Sequence, residues 1–96
     1  ITGGGFIENI PRIFPAGVGC EIWQRSYEVP AIFKIMQEKA EISDRQMYNT
    51  FNMGIGMVVC VNRRDVSKAM EVLKAMGEEC CEIGRTTRGS GVKFIK

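Results

Sequence analysis

The chain has 96 residues, of which 45% are hydrophobic and 25% are charged, a composition that excludes a disordered or repetitive protein. The formal net charge of +2 is small and dispersed, which argues against a nucleic-acid-binding surface. No apolar run approaches the ~18 residues of a membrane span, so we expect neither nucleic acid nor a membrane as a partner.

The cysteines and the first residues of the chain indicate its cellular compartment and whether it is part of a longer protein. Cysteines stand at positions 20, 60, 80 and 81, and there is no histidine, so neither a spaced disulfide framework nor a zinc pattern is present. We therefore expect reduced cysteines, no metal site in this chain and a cytoplasmic protein. The chain starts on a strand-like Ile1-Thr2 without a methionine, which indicates a piece of a longer polypeptide that continues on the N-terminal side.

The first half of the chain is predicted as a loop, a strand and two helices. Residues 3–17 hold four glycines and two prolines and are expected to form a long irregular connection, followed by a short strand at Val18–Trp23. Pro30 suits the first position of an amphipathic helix. Ser43 and Gln46 form a capping-box pattern that starts a second helix, ending near Phe51.

The second half is predicted as a strand, a helix and two closing strands. Asn52–Val61 is interpreted as a glycine-containing strand whose apolar end is buried on both faces. Asn62 should cap a helix that ends at Gly77 and buries an apolar stripe. That stripe consists of Val66, Ala69, Met70, Leu73 and Met76. Closing strands are expected at Cys80–Ile83 and Val92–Ile95, with Arg85 and Arg88 in a solvated turn between them. The order predicts an α/β (α+β) fold with a mixed sheet and helices mainly on one face.

Two glycine-containing segments are candidate sites for a phosphate-bearing ligand. The backbone N–H groups of Thr2, Gly3, Gly4 and Gly5 could converge on an anion, with Asn9 and Arg12 adding polar contacts. The alternative is a flexible turn. In the second segment Asn52, Gly54 and Gly56 could form a flat surface under a nucleotide, or the glycines could admit a packed helix. Without histidine no Ser/His/Asp triad is possible, and no catalytic residue is assigned.

Five blocks of sequence resemble one known family over essentially the whole chain. They are ITGGGFIENIPRIFP, VPAIFKIMQEKAEIS, MYNTFNMGIGMVVCV, GEECCEIG and GVKF. In this order and spacing they are similar to the C-terminal domain of aminoimidazole ribonucleotide synthetase, also called phosphoribosylformylglycinamidine cyclo-ligase. The resemblance implies that residues 1–96 form a single C-terminal domain.

The resemblance also implies an activity. It is an ATP-dependent ring closure in purine biosynthesis that converts formylglycinamidine ribonucleotide to aminoimidazole ribonucleotide, with ADP and phosphate released. ATP and Mg²⁺ would be bound mostly by an N-terminal domain that also builds a homodimer. Thr2, Gly3, Gly4, Gly5, Asn9 and Arg12 would line the substrate or phosphate side of the interdomain cleft, and Asn52, Gly54 and Gly56 a second wall.

Two other functions are compatible with the sequence. One is a non-catalytic binding or interaction module that retains this scaffold. The other is the equivalent domain of a related ATP-dependent synthetase or kinase, such as selenophosphate synthetase or thiamine-phosphate kinase. The N-terminal domain and the histidine that commonly precedes ITGGG both lie outside this chain, so we expect the piece alone to be inactive.

Overall fold

A computed structural model describes all residues, 1–96, of the chain. In chain order the elements are α1 (Gly5–Asn9), a 3-10 helix (Ile10–Ile13), β1 (Val18–Trp23), α2 (Ala31–Ala40), α3 (Asp44–Thr50), a second 3-10 helix (Arg63–Asp65), α4 (Val66–Ala75), β2 (Gly84–Arg88) and β3 (Val92–Ile95). None of the helices combines the length and apolar character that crossing a bilayer requires.

The sheet has three strands and is mixed, which confirms the predicted fold class. Its order is β2-β1-β3, so β1 lies in the centre. β1 is antiparallel to β2, with Val18 opposite Arg88, and parallel to β3, with Cys20 opposite Val92. The strands predicted at Val18–Trp23 and Val92–Ile95 are therefore both present.

The core is small and lies where α1 and α3 meet the sheet. It consists of eight buried side chains: Phe6, Ile10, Cys20, Ile22, Met47, Tyr48, Met53 and Val92. The ring of Phe6 meets the ring of Tyr48 edge-on, with centroids 5.2 Å apart. Burial of Cys20 raises the pKa of its thiol to about 11, so this thiol stays protonated and packs as an apolar group. Both helices are thus held to the sheet by aromatic and aliphatic contacts.

The prediction of an irregular connection over residues 3–17 is wrong. The segment forms α1 and then the 3-10 helix Ile10–Ile13. Phe6 and Ile10 are four residues apart, which places both side chains on the same face of a helix, and both are buried. The gain from burying them outweighs the low helix propensity of the preceding glycines.

The two predicted central helices are confirmed, with one change of detail. Ser43 caps α3 as expected: its Oγ accepts from the Gln46 backbone N–H at 3.2 Å, and Gln46 Oε1 accepts from the Ser43 backbone N–H at 2.9 Å. Pro30 is the N-cap of α2 rather than its first helical residue.

The strand predicted at Asn52–Val61 does not form. The segment is a turn followed by residues without regular secondary structure, and Val59, Cys60 and Val61 are exposed rather than buried. β2 and β3 occupy both sides of β1, and the segment pairs with no strand. The segment is apolar, as a buried strand would be, but no other strand of residues 1–96 lies beside it.

The helix predicted from Val66 is present as α4, but its stripe is not a buried core. None of its residues is buried, and Met76 is 72% exposed. Asn62 makes no side-chain capping bond and precedes the second 3-10 helix, whereas Gly77 follows α4 with φ 89°, as predicted. The helix lies on the far side of an open cleft from the sheet, so its apolar face lacks a packing partner.

The first closing strand begins four residues later than predicted, at Gly84 instead of Cys80. Arg85 therefore lies in β2 and not in a turn, directly opposite Glu21 of β1. Arg85 Nε donates to Glu21 Oε1 at 2.6 Å. Hydrogen bonds from Trp23 and then Arg85 lower the pKa of Glu21. This cross-strand ion pair helps to set the register of an otherwise polar edge strand.

Candidate functional site

The glycine loop at the start of the chain has a defined backbone. Gly5 N–H donates to Thr2 O at 3.0 Å, and Gly4 is the N-cap of α1. Thr2 and Gly3 are exposed. The N–H groups of Gly3 and Gly4 donate to no acceptor in the chain. A tight turn thus presents two free backbone donors, which is an arrangement that suits an anionic group.

The Asn9 side chain forms hydrogen bonds to several residues of this loop. Its Nδ2 donates to Gly5 O at 2.9 Å and to Gly3 O at 3.1 Å, and its Oδ1 accepts from Thr2 Oγ1 at 3.4 Å. The amide is therefore engaged with the loop on both of its ends. This geometry makes Asn9 a residue that positions the loop.

Gly5 is a packing position. It is buried with φ 60°, and a Cβ built on it would lie 2.1 Å from Tyr48 O and 2.7 Å from Phe51 O. The backbone of α1 therefore rests directly on the carboxyl end of α3. The absence of a side chain at Gly5 serves this helix contact.

Arg12 is the unpaired cation of this region. It lies in the 3-10 helix that continues α1, it is exposed, and it forms no hydrogen bond or ion pair within the chain. Its guanidinium is free to bind an oxyanion, for which its planar donor geometry is well suited.

The second candidate segment is a turn built on Asn52. Asn52 Oδ1 accepts from Gly54 N–H at 2.8 Å, and Asn52 O accepts from Ile55 N–H at 3.0 Å. Gly54 has φ 94°, and a Cβ there would lie 2.6 Å from Pro30 Cδ. Nothing lies within 4 Å of a Cβ built on Gly56. Within this chain the close approach predicted at both glycines occurs only at Gly54, where the neighbour is Pro30.

Two residues that support this turn were not identified from the sequence. Pro30 packs on Gly54, and Tyr27 OH donates to Met53 O at 3.0 Å. Burial raises the pKa of Tyr27, so its hydroxyl remains a donor. Tyr27 is separated from Met53 by 26 positions, and no local pattern signals such a contact.

The structure brings the two candidate segments together on one surface. The terminal ammonium group of Ile1 donates to Gly56 O at 2.5 Å. Gly5 lies against Phe51 O, immediately before Asn52. The glycine loop and the Asn52 turn are therefore neighbours, although about fifty positions separate them in the sequence.

The two glycines of the Asn52 turn give a matched pair of variants. We expect Gly54→Ala to lower the free energy of unfolding by about 1 to 3 kcal/mol. The left-handed backbone contributes about 1 to 2 kcal/mol, and the methyl group also meets Pro30, an exposed side chain that can shift where the backbone atoms around Gly5 cannot. Gly56→Ala should change it by less than about 0.5 kcal/mol. Urea unfolding followed by circular dichroism measures both.

In the longer enzyme that the sequence resemblance implies, Gly56→Ala also tests the site. A fall in turnover with an unchanged melting temperature would place a ligand or another domain over Gly56. If Gly56→Ala destabilises the fold and leaves the kinetics of the remaining folded enzyme normal, Gly56 serves internal packing instead.

The side chains of this surface do not fit a metal ion. No group of three His, Cys, Asp or Glu side chains is arranged to hold one anywhere in the chain. The nine candidate residues include no carboxylate. The surface offers backbone N–H groups, a hydroxyl and a guanidinium, which are donors for anions.

Comparisons with known proteins identify relatives over the full length of the chain. Residues 1–96 match the family model described as AIR synthase related protein, C-terminal domain. The chain is 49% identical over 96 residues to a phosphoribosylformylglycinamidine cyclo-ligase of Bacillus mycoides (strain KBAB4), which covers 100% of this chain and 28% of that protein. It is 50% identical over 94 residues to the protein of the same name from Bacillus cereus (strain B4264), covering 98% of this chain and 27% of the relative. The chain thus spans little more than a quarter of the length of these relatives.

Proposed function

Because the chain belongs to the family of AIR synthase related protein C-terminal domains, we propose that it forms one wall of the active site of an ATP-dependent cyclo-ligase. The substrate is formylglycinamidine ribonucleotide and the product is aminoimidazole ribonucleotide, formed in purine biosynthesis with release of ADP and phosphate. The observation that carries the proposal is the joining of the two glycine segments into one surface with free donors at Gly3, Gly4 and Arg12.

The reaction requires control of negative charge. In the mechanism implied by the family, the terminal phosphoryl group of ATP is transferred to the formyl oxygen of the substrate. A nitrogen of the amidine then attacks the activated carbon, and the carbon–oxygen bond breaks as phosphate leaves. Such steps depend on fixed hydrogen-bond donors and on positioning. The free N–H groups of the loop and the Arg12 guanidinium supply donors of this kind, and Asn9 keeps the loop in shape.

The remaining parts of the machinery are assigned to the parent polypeptide outside residues 1–96. An N-terminal domain would bind most of the ATP and build a homodimer in the cytoplasm. Mg²⁺ would also be held mostly there, as the family implies. Thr2, Gly3, Gly4, Gly5, Asn9 and Arg12 would line the substrate or phosphate side of the cleft between the domains. Asn52, Gly54 and Gly56 would form its second wall.

Arg12→Ala in the full-length parent tests the assignment of the loop. A charge-assisted hydrogen bond contributes about 1.5 to 3 kcal/mol, so we expect the affinity for the ribonucleotide substrate to fall about 10- to 150-fold. Arg25→Ala is the matched control, because Arg25 is also exposed, forms no ion pair and lies outside the site. Substrate titration and steady-state kinetics measure both. Unchanged affinity and turnover in Arg12→Ala would show that this arginine does not bind phosphate.

An interaction module is the second candidate function, and one observation favours it. Large apolar side chains are exposed, including Met57 at 81% and Val59 at 59%. Exposed apolar surface of this kind marks binding sites for other protein surfaces. The sequence upstream in the parent reading frame decides between the two functions. An acidic, glycine-rich ATP motif there supports the enzyme, and an unrelated sequence supports the module.

A further inference from the structure

The turn at Asn52 contains a methionine in a backbone conformation that methionine rarely adopts. Ile55 N–H donates to Asn52 O at 3.0 Å, which closes a turn of four residues. Both central residues have a positive φ, 54° at Met53 and 94° at Gly54. This is the pattern of a type I′ turn, in which glycine, asparagine and aspartate predominate at the central positions. A methionine in the left-handed region persists only where the surrounding structure holds it there.

Two contacts from outside the turn hold Met53 in this conformation. Its side chain is 4% exposed and belongs to the core. The hydroxyl of Tyr27 donates to Met53 O at 3.0 Å, and no other hydrogen bond in the chain reaches this carbonyl group. Tyr27 is half-buried and lies between β1 and α2, 26 positions before Met53. A single tyrosine therefore ties the strained peptide to the rest of the domain.

The same turn fixes the side chain of Asn52. Asn52 Oδ1 accepts from Gly54 N–H at 2.8 Å. Its Nδ2 group donates to no acceptor in the chain. The carboxamide is thus held by its oxygen atom, and its nitrogen atom is free to donate to a ligand on the surface that the turn shares with the glycine loop.

We propose that Tyr27 positions Asn52 for the ribonucleotide substrate, an inference that rests on the proposed cyclo-ligase function. The tyrosine hydroxyl keeps the Met53 peptide in the left-handed turn, and the turn holds the carboxamide of Asn52. The free Nδ2 group of Asn52 then donates to an oxygen atom of the ribonucleotide. Tyr27 acts through the turn and does not itself contact the reacting atoms.

Hydrogen exchange in the full-length parent tests the effect of Tyr27 on the turn. Tyr27→Phe keeps the ring and removes the hydroxyl, and the loss of one neutral hydrogen bond changes an equilibrium by about 2- to 12-fold. We expect the amides of Gly54 and Ile55, which are bonded to Asn52, to exchange faster by a factor of this size. Unchanged exchange of these two amides would overturn the proposal.

Steady-state kinetics of the same variant show whether the turn affects the reaction. At a temperature well below melting, we expect kcat/KM for formylglycinamidine ribonucleotide to fall about 2- to 12-fold in Tyr27→Phe. Ser26→Ala is the matched control, because Ser26 Oγ also donates to a backbone carbonyl, Trp23 O at 2.6 Å, but not to the turn. It should leave both kcat/KM and the exchange of the turn amides unchanged. A lower melting temperature with normal kcat/KM in Tyr27→Phe would show a purely structural role and overturn the proposal.

A double-mutant cycle tests whether Tyr27 acts through Asn52. Asn52→Ala removes the carboxamide and should lower kcat/KM, and adding Tyr27→Phe should then cause little further loss because the group that it positions is gone. Two losses that multiply would show that Tyr27 acts by another route and would overturn the proposal. Unchanged kcat/KM in Asn52→Ala would remove Asn52 from the proposed active site, and this inference with it. A loss in Asn52→Ala without one in Tyr27→Phe would overturn the role of Tyr27 alone.

Discussion

Replacing Gly5 by alanine is expected to destabilise the fold by about 2 to 5 kcal/mol, the sum of a left-handed backbone penalty of about 1 to 2 and an overpacking cost of about 1 to 3 kcal/mol. The new methyl group would lie 2.1 Å from Tyr48 O and 2.7 Å from Phe51 O, which are backbone atoms that cannot rotate away. The contact between α1 and α3 would have to open. Since native proteins have only about 5 to 15 kcal/mol of stability, this loss would remove a large share of it.

The measurement is urea unfolding of residues 1–96, followed by the fluorescence of Trp23, the single tryptophan. Gly3→Ala is the matched control two positions earlier. A Cβ on Gly3 has nothing within 4 Å, and its φ is not left-handed, so stability should remain within about 0.5 kcal/mol of the original. A Gly5→Ala variant as stable as Gly3→Ala would show that α1 does not rest on α3 in this way.

Gly5 also explains why the first helix was missed. Clustered glycines favour a loop because glycine lowers helix propensity. Here the glycine is required by the close contact of two backbones, and the helix is stabilised by the burial of Phe6 and Ile10. Their four-residue spacing is a helical signal, but it covers little more than one turn. A pattern this short is outweighed by the glycines when the sequence alone is considered.

Elements with strong local signals were predicted well. The Ser43–Gln46 capping box starts α3, and the apolar spacing from Val66 defines α4. The predictions of a strand at Asn52–Val61 and of the start of the first closing strand were wrong, and both depend on distant partners. Val58–Val61 has the composition of a buried strand, and its burial requires a neighbouring strand that residues 1–96 do not provide. The shifted strand β2 likewise depends on pairing across the sheet, including the ion pair between Arg85 and Glu21.

The proximity of the two candidate segments, and the contacts that each of their residues makes, are tertiary features that local sequence patterns do not show. Glycine clustering pointed to two segments, and these are neighbours in the fold. Asn9 positions the loop through side-chain hydrogen bonds to the backbone of Gly3 and Gly5, which the sequence alone does not show. The contact of Gly54 with Pro30 is also a tertiary feature. For Arg12 and Gly56, which have no partner side chain in this chain, ligand binding remains a prediction.

Residues 1–96 alone are expected to show no ATP-dependent cyclisation above the background rate. Catalysis of this kind requires the reacting groups to be held at near-contact distance, a contribution of about 7 to 11 kcal/mol in well-oriented systems. This chain presents one surface of free donors and no side-chain group arranged for a metal ion. Under the proposed function, the opposing wall that would bind ATP belongs to the parent polypeptide outside residues 1–96.

Phosphate release from ATP in the presence of formylglycinamidine ribonucleotide measures this directly, with the full-length parent as the positive control. Circular dichroism must first show that the isolated chain is folded, so that inactivity is not simply a result of unfolding. Adding the separately produced N-terminal part should restore some turnover, because the two walls can then assemble. Their association is weaker than in the full-length parent, because the two parts are no longer covalently linked. Robust turnover by residues 1–96 alone would show that this chain contains a complete active site and that the half-site assignment is wrong.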